Sequence, residues 1–182
     1  MGELSERAAR ELGVSVTAVD FSPRMVELTR ARGVDATLAD VQELPFENRS
    51  FDLAVANWVL YHLPDVDRGI GELSRVLMPD GVLIAASVGE GNMEELWDML
   101  GESATQGLSF GADNGAELLS RRFRNVERHD AIGTAVFPDA AAVRKFVAMT
   151  ITRAHLADRV PELEGEFRTR SAHVVFVARE PR

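Results

Sequence analysis

The stretch VTAVDFSPRMVELTRARG, residues 16–33, decides the fold. An alternating apolar run, placed as a strand over Val14–Val19, ends at the acidic Asp20. Ser22 then stands where a helix is capped, and Pro23 falls in the first turn. Met25, Val26 and Leu28 or Thr29 give that helix a buried side, and Gly33 stops it. Strand, acidic residue and helix in this order are half of an α/β unit.

Working outward, the same grammar repeats. Glu3–Leu12 has helical spacing at Leu4, Ala8, Ala9 and Leu12, followed by the stop Gly13. Ala36–Ala39 is a short strand ending at Asp40. FDLAVA, Phe51–Ala56, is nearly all apolar, as expected of a strand covered by helices on both faces, and ends at Asn57. A loop through Tyr61, His62 and Pro64 leads to a helix over Val66–Leu77. Pro79-Asp80-Gly81 turns the chain into another buried strand, Val82–Val88. This alternation predicts parallel pairing with right-handed crossovers. The second half reads as helices at Asn92–Leu100, Ala112–Phe123 and Pro138–Met149, with strands at Val126–Ile132 and Ser171–Ala178. Thr150–Phe167 is charged and is expected to be helical and to act as a mobile cover. The fold class expected is a doubly wound, Rossmann-like α/β sheet, mostly parallel, with helices on both faces and an antiparallel last strand. One domain is expected over residues 1–182, with a cofactor-binding half at 1–90 and a substrate and lid half at 91–182.

Composition narrows the function. The chain has 182 residues and a formal charge of −9, with 46% hydrophobic residues. That is a globular composition. An acidic balance argues against nucleic acid as a partner, because phosphate neutralisation needs basic patches. The run Arg121-Arg122-Phe123-Arg124 reads as a solvated helix end. There is no cysteine, hence neither disulfide nor thiolate nucleophile. No apolar run approaches a membrane span, and the charged N-terminal stretch is no secretory signal, so a cytoplasmic protein is the simplest expectation. His129, His155 and His173 lack metal-ligand spacing, and no metal site is expected.

Asp20 and Asp40 close adjacent strands at the carboxyl edge, where open α/β sheets bind ligands. A carboxylate at Asp20 can accept from ribose hydroxyls; the alternative is a local cap beside Ser22. Asp40 can accept from an exocyclic amine while Val41 packs on the ring; the alternative is a turn aspartate. Asn57 can face the reactive end of a ligand lying across the strand ends. His62 is a candidate base and Tyr61 a candidate pocket residue, but a single histidine without an orienting partner is a weak catalytic signal.

Three segments in order, VTAVDFSPRMVELTRARG, TLADVQELPFENRSFDLAVANWVLYHLPD and ELSRVLMPDGVLIAA, resemble the class I S-adenosylmethionine-dependent methyltransferases of the small-molecule kind. FGADNGAELLSRRFRNVE and SAHVVFVARE resemble the late helix and last strand of that family. The resemblance implies S-adenosyl-L-methionine as cofactor and a small-molecule methyl acceptor. By position, Asp20 resembles the ribose carboxylate, with Phe21 and Met25 beside the adenosine. Asp40 and Val41 resemble the adenine pair, Asn57 the residue bordering the methionine moiety, and Gly2 the last glycine of the glycine-rich loop. The first strand of the family and most of that loop have no counterpart in these 182 residues. In the family sheet that strand lies between the strands read here as Val14–Val19 and Phe51–Ala56. Four or five missing core side chains at about 1.5–3 kcal/mol each amount to on the order of 6–15 kcal/mol, comparable with a whole domain's stability. Two unpaired edges would result. The gap closes by re-pairing, a second copy fills it to give a homo-oligomer, or the fold is marginal.

A truncated or degenerate methyltransferase fold acting by association is the competing reading. A nicotinamide dehydrogenase ranks below both, since the only tyrosine, Tyr61, is followed by no lysine before Lys145.

Overall fold

The computed structural model describes residues 2–103, 108–150 and 152–182. Among these residues six strands and six α-helices follow one another in the order that the sequence pattern predicts, save for the helix expected over Thr150–Phe167. They are α1 (Glu3–Leu12), β1 (Thr17–Asp20), α2 (Pro23–Arg30), β2 (Asp35–Leu38), β3 (Phe51–Asn57), α3 (Val66–Val76), β4 (Leu77–Val88), α4 (Glu94–Met99), α5 (Gly115–Ser120), β5 (Phe123–Phe137), α6 (Ala140–Ala148) and β6 (Phe167–Pro181).

The strands form two sheets. β1 and β2 pair in parallel as a two-stranded ribbon. The larger sheet has the order β3-β4-β6-β5. β3 and β4 are parallel, and β6 runs antiparallel to both β4 and β5. The antiparallel last strand agrees with the sequence reading. Of the three outcomes foreseen for the gap, re-pairing within the chain is not the one seen. Among the described residues β1 pairs only with β2 and β3 only with β4, so each keeps an open edge. Val19 of β1 nevertheless packs against the main core.

That core lies on one face of the larger sheet. Ile70 and Leu73 of α3 and Leu118 and Leu119 of α5 close over Leu83, Ala85, Val174 and Phe176. The spacing of Ile70, Leu73 and Val76 puts them on one side of α3, and Asp65 caps the helix by accepting from the Arg68 N–H. Phe176 is fully buried and meets Phe110 edge to face at 5.6 Å. A second core gathers Leu96, Trp97 and Leu100 with Val143, Val147, Leu156 and Val160.

Three expectations are corrected. FDLAVA is not covered on both faces: Ala56 is buried, whereas Leu53 and Val55, on the other side of the pleat, are 50% and 49% exposed. Pro79-Asp80-Gly81 does not separate helix from strand but bulges within β4, so that Phe51 pairs with Leu77 and Leu53 with Val82. Gly81 is needed there, because a Cβ would stand 2.9 Å from the Met78 carbonyl oxygen. Thr150–Phe167 is not a charged helical cover. Apart from Ile151, which lies outside the described residues, it is a short 3-10 turn at Ala154–Arg159, preceded by a turn and followed by irregular chain with a bend at Gly165. Leu156 and Val160 anchor it in the second core. Its charged residues concealed the two apolar ones that fix it.

Candidate active site

The carboxyl ends of β1, β2 and β3 bring the acidic and amide candidates to one rim of the molecule. Asp20 is the last residue of β1, and its backbone carbonyl accepts from the Ala39 N–H at 3.1 Å, which sets Asp40 one residue further along beside it. Asp20 Oδ1 accepts from the Ser22 N–H at 2.9 Å, the local turn bond anticipated as its alternative role. Its Oδ2 has no partner among the described residues, so one oxygen remains for a ligand. Asp40 is more committed. Its Oδ1 accepts from the Gln42 N–H at 2.8 Å, and the Gln42 amide donates to Oδ1 and Oδ2 at 3.2 and 3.0 Å. The turn-aspartate role is therefore real, and the exposed carboxylate can serve a ligand only by sharing or exchanging Gln42.

Val41 is half-buried against the main core and Met25 is half-buried on α2. Phe21 is 81% exposed, a large apolar ring at the surface. Asn57 is exposed at the end of β3, level with Ala86 of β4. Gly2 is not brought to this rim. It packs against Thr29, near the end of α2 opposite Ser22, where a Cβ would stand 2.9 Å from the threonine Oγ1. Its φ of 72° starts α1. That helix buries none of its side chains, and an Arg32–Glu6 pair at 2.6 Å helps to hold it.

Tyr61 and His62 follow β3 in a 3-10 turn, with ring centroids 4.2 Å apart. Burial raises the Tyr61 pKa and lowers that of His62, so both are neutral at neutral pH. His62 makes no side-chain hydrogen bond among the described residues, the feature a catalytic base most needs. A cavity of about 370 Å³ lies elsewhere, between Arg49, Arg75, Leu77, Arg122 and Pro181 at the amino ends of β3 and β4, and holds none of these candidates.

Sequence reasoning passed over two residues at the same rim. Trp58, next after Asn57, has a φ of 61°, a left-handed backbone rare for a bulky side chain. Its N–H donates to the Ala86 carbonyl at 3.1 Å. Its ring stands edge to face on His173 of β6, with centroids 4.9 Å apart. His173 is 115 residues further along the chain, and only the antiparallel pairing of β6 brings it level with Val88. No local sequence signal carries that proximity.

Comparison with known proteins agrees with this architecture. Residues 1–85 match the family model described as a methyltransferase domain. Malonyl-[acyl-carrier protein] O-methyltransferase of Salmonella typhimurium is 31% identical over 152 residues, covering 80% of this chain and 60% of that protein. The chain spans from 32% to 60% of the length of such curated relatives. Among solved structures, the N-methyltransferase NodS of Bradyrhizobium japonicum, in complex with S-adenosyl-L-homocysteine, superposes with a TM-score of 0.59 at 19% identity, over 100% of this chain and 74% of NodS. The [4+2]-cyclase SpnF superposes with a TM-score of 0.63 at 22% identity, over 99% and 72%. The fold is that of the class I methyltransferases.

Proposed function

We propose that this chain, which has the class I methyltransferase fold and whose residues 1–85 match a methyltransferase-domain model, binds S-adenosyl-L-methionine at the β1–β3 rim and serves methyl transfer to a small-molecule acceptor. The observation that supports it most is the placement of Asp20 and Asp40 at the ends of adjacent parallel strands, coupled through Ala39. A free Oδ2 on Asp20 fits a ribose diol, and half-buried Val41 and Met25 fit an adenine ring. Bound there, the cofactor supplies an electrophilic methyl group. The residues of the chain supply position: Asp20 holds the sugar, Val41 and Asp40 the base, and Asn57 the end toward the acceptor. Orientation of this kind carries much of the catalysis of an in-line transfer. A net charge of −9 favours a metabolite or acyl group over nucleic acid, in keeping with the acyl-carrier-linked substrate named for the Salmonella relative.

Calorimetric titration of the 182-residue chain with S-adenosylmethionine and S-adenosylhomocysteine tests this. Micromolar binding is the expected result, and no binding to a folded sample overturns it.

A second reading has its own support. Gly2 lies away from the rim, β1 and β3 keep open edges, and Leu53 and Val55 are half exposed. On this reading the chain works by association, because unpaired edges recruit other strands. Sedimentation discriminates: concentration-dependent association that Leu53→Lys abolishes supports it, and a monomer at high concentration removes it.

A further inference from the structure

Beyond the cofactor rim, β6 carries a histidine for which the proposed reaction as described so far has no use. Successive odd-numbered residues of β6 share one face of the sheet. On that face His173 lies beside Val88 of β4 and Ala131 of β5. Ser171, two residues earlier, sets its Oγ 3.1 Å from His173 Nε2. The other ring nitrogen, Nδ1, is buried and has no hydrogen-bond partner among the described residues. A buried, unpartnered nitrogen is costly and calls for an explanation. Trp58 closes the arrangement with its ring against the imidazole and its backbone held in the left-handed region. Conformations of that kind gather at functional sites.

The two neutral tautomers are not equivalent. With the proton on Nε2, that nitrogen donates to Ser171 Oγ and Nδ1 presents a lone pair. With the proton on Nδ1, an N–H is stranded in buried surroundings. The first leaves a proton acceptor at the carboxyl end of β4, beside the residue that follows Asn57. Resting on the methyltransferase reading, we propose that His173 is the proton acceptor of the reaction, oriented by Ser171 and opened to the acceptor when the Trp58 ring that stands on it turns aside. It serves a hydroxyl or amine acceptor. The acceptor lone pair forms the new bond to the methyl carbon, the carbon–sulfur pair stays on sulfur, and the acceptor proton passes to Nδ1.

The surroundings keep the ring neutral for that task. Burial lowers the His173 pKa below its ordinary value. On its face of the sheet β3 and β4 offer no charge, with Leu53, Val55 and Asn57 on one and Ile84, Ala86 and Val88 on the other. β5 offers His129 and Glu127, which face each other at 3.7 Å.

Nitrogen-15 NMR of the histidine rings tests the inference directly, with His173→Phe supplying the assignment. At pH 7 the proton should sit on Nε2, and Ser171→Ala should turn this into a mixture of tautomers. Phenol is the hydroxyl probe, added with and without S-adenosylhomocysteine. It should perturb the His173 and Trp58 resonances saturably. His173→Phe should weaken phenol binding roughly tenfold and His173→Gln should largely restore it, while S-adenosylhomocysteine affinity stays within about twofold. A proton found on Nδ1, or phenol binding indifferent to His173→Phe, overturns the assignment. Absence of S-adenosylhomocysteine binding overturns the methyltransferase reading instead, and the tautomer and phenol results still decide the role of His173.

Discussion

The β1–β2 ribbon and the four-stranded sheet are built to different standards. The larger sheet is packed on one face by α3 and α5 and contains Leu83, Val174, Phe176 and Ala178, all fully buried. The ribbon has strands of four residues, and β1 has no fully buried side chain. Its flanking helix α1 leaves Leu4 and Leu12 55% and 74% exposed. Yet the ribbon leads into Asp20 and Asp40 at its carboxyl end, the two residues to which the proposed function gives cofactor recognition. On that proposal, stability and recognition belong to different parts of this chain. A ligand that bridges the ribbon and β3 would bind the folded arrangement alone and so stabilise it by mass action.

The sharpest test of the contrast is to damage the strong side. Phe176→Ala should cost about 3–5 kcal/mol, because a large ring is lost from a site that Phe110 and Gly115 already crowd. Urea denaturation reads the loss. A change below about 1 kcal/mol would show that this core is not the main source of stability.

On the ribbon side, Asp20→Ala should leave the fold intact and weaken S-adenosylhomocysteine binding roughly ten- to a hundredfold, the range for losing a charged hydrogen-bond acceptor. Unchanged affinity in calorimetry would remove Asp20 from the site. Hydrogen exchange then tests the contrast itself. The amides of β1 and β2 should exchange at least roughly tenfold faster than those of β4 and β6, as expected of a locally opening unit. Saturating S-adenosylhomocysteine should narrow the difference. Equal protection in the free chain would mean that ribbon and sheet unfold as one.

The order of elements was legible because strand and helix periods, caps and stops are local. Asp20 and Asp40 could be placed because a strand's end marks the sheet's carboxyl edge. What could not be read follows from distance along the chain. The Trp58–His173 contact depends on β6 returning antiparallel beside β4, and nothing near either residue encodes that return. The turn role of Asp40 was weighed from the sequence, but its partner was not, because only the fold of the turn brings the Gln42 amide back onto both carboxylate oxygens. Gly2 was placed by resemblance alone, and in the structure it meets Thr29 instead of the rim. The half-exposed face of FDLAVA escaped notice because an apolar run does not say whether both faces find partners.

The connection between ribbon and sheet supplies the mildest test. Residues 42–48, within the link between β2 and β3, are tied to α3 by two arginines. Arg68 donates to the Gln42 carbonyl at 2.7 Å. Arg75 donates to the carbonyls of Leu44 and Phe46 at 3.0 and 2.7 Å and to Asn48 Oδ1 at 2.8 Å. Glu72 holds Arg75 in place through two bonds of 2.8 Å and accepts from the Leu44 N–H at 2.8 Å. The Arg75 guanidinium lowers the Glu72 pKa, burial opposes it, and the Leu44 N–H assists. A carboxylate held below its unfolded value contributes stability above that value, about 4.5, and loses it as pH falls toward the folded one. Glu72→Gln should therefore cost about 1 kcal/mol at pH 7, an estimate kept low because both partners are partly solvated. Near pH 3 the difference should shrink. A variant whose deficit persists unchanged at acid pH would show that Glu72 acts through shape and not charge, and that the link between the two regions is held by the arginine–carbonyl bonds alone.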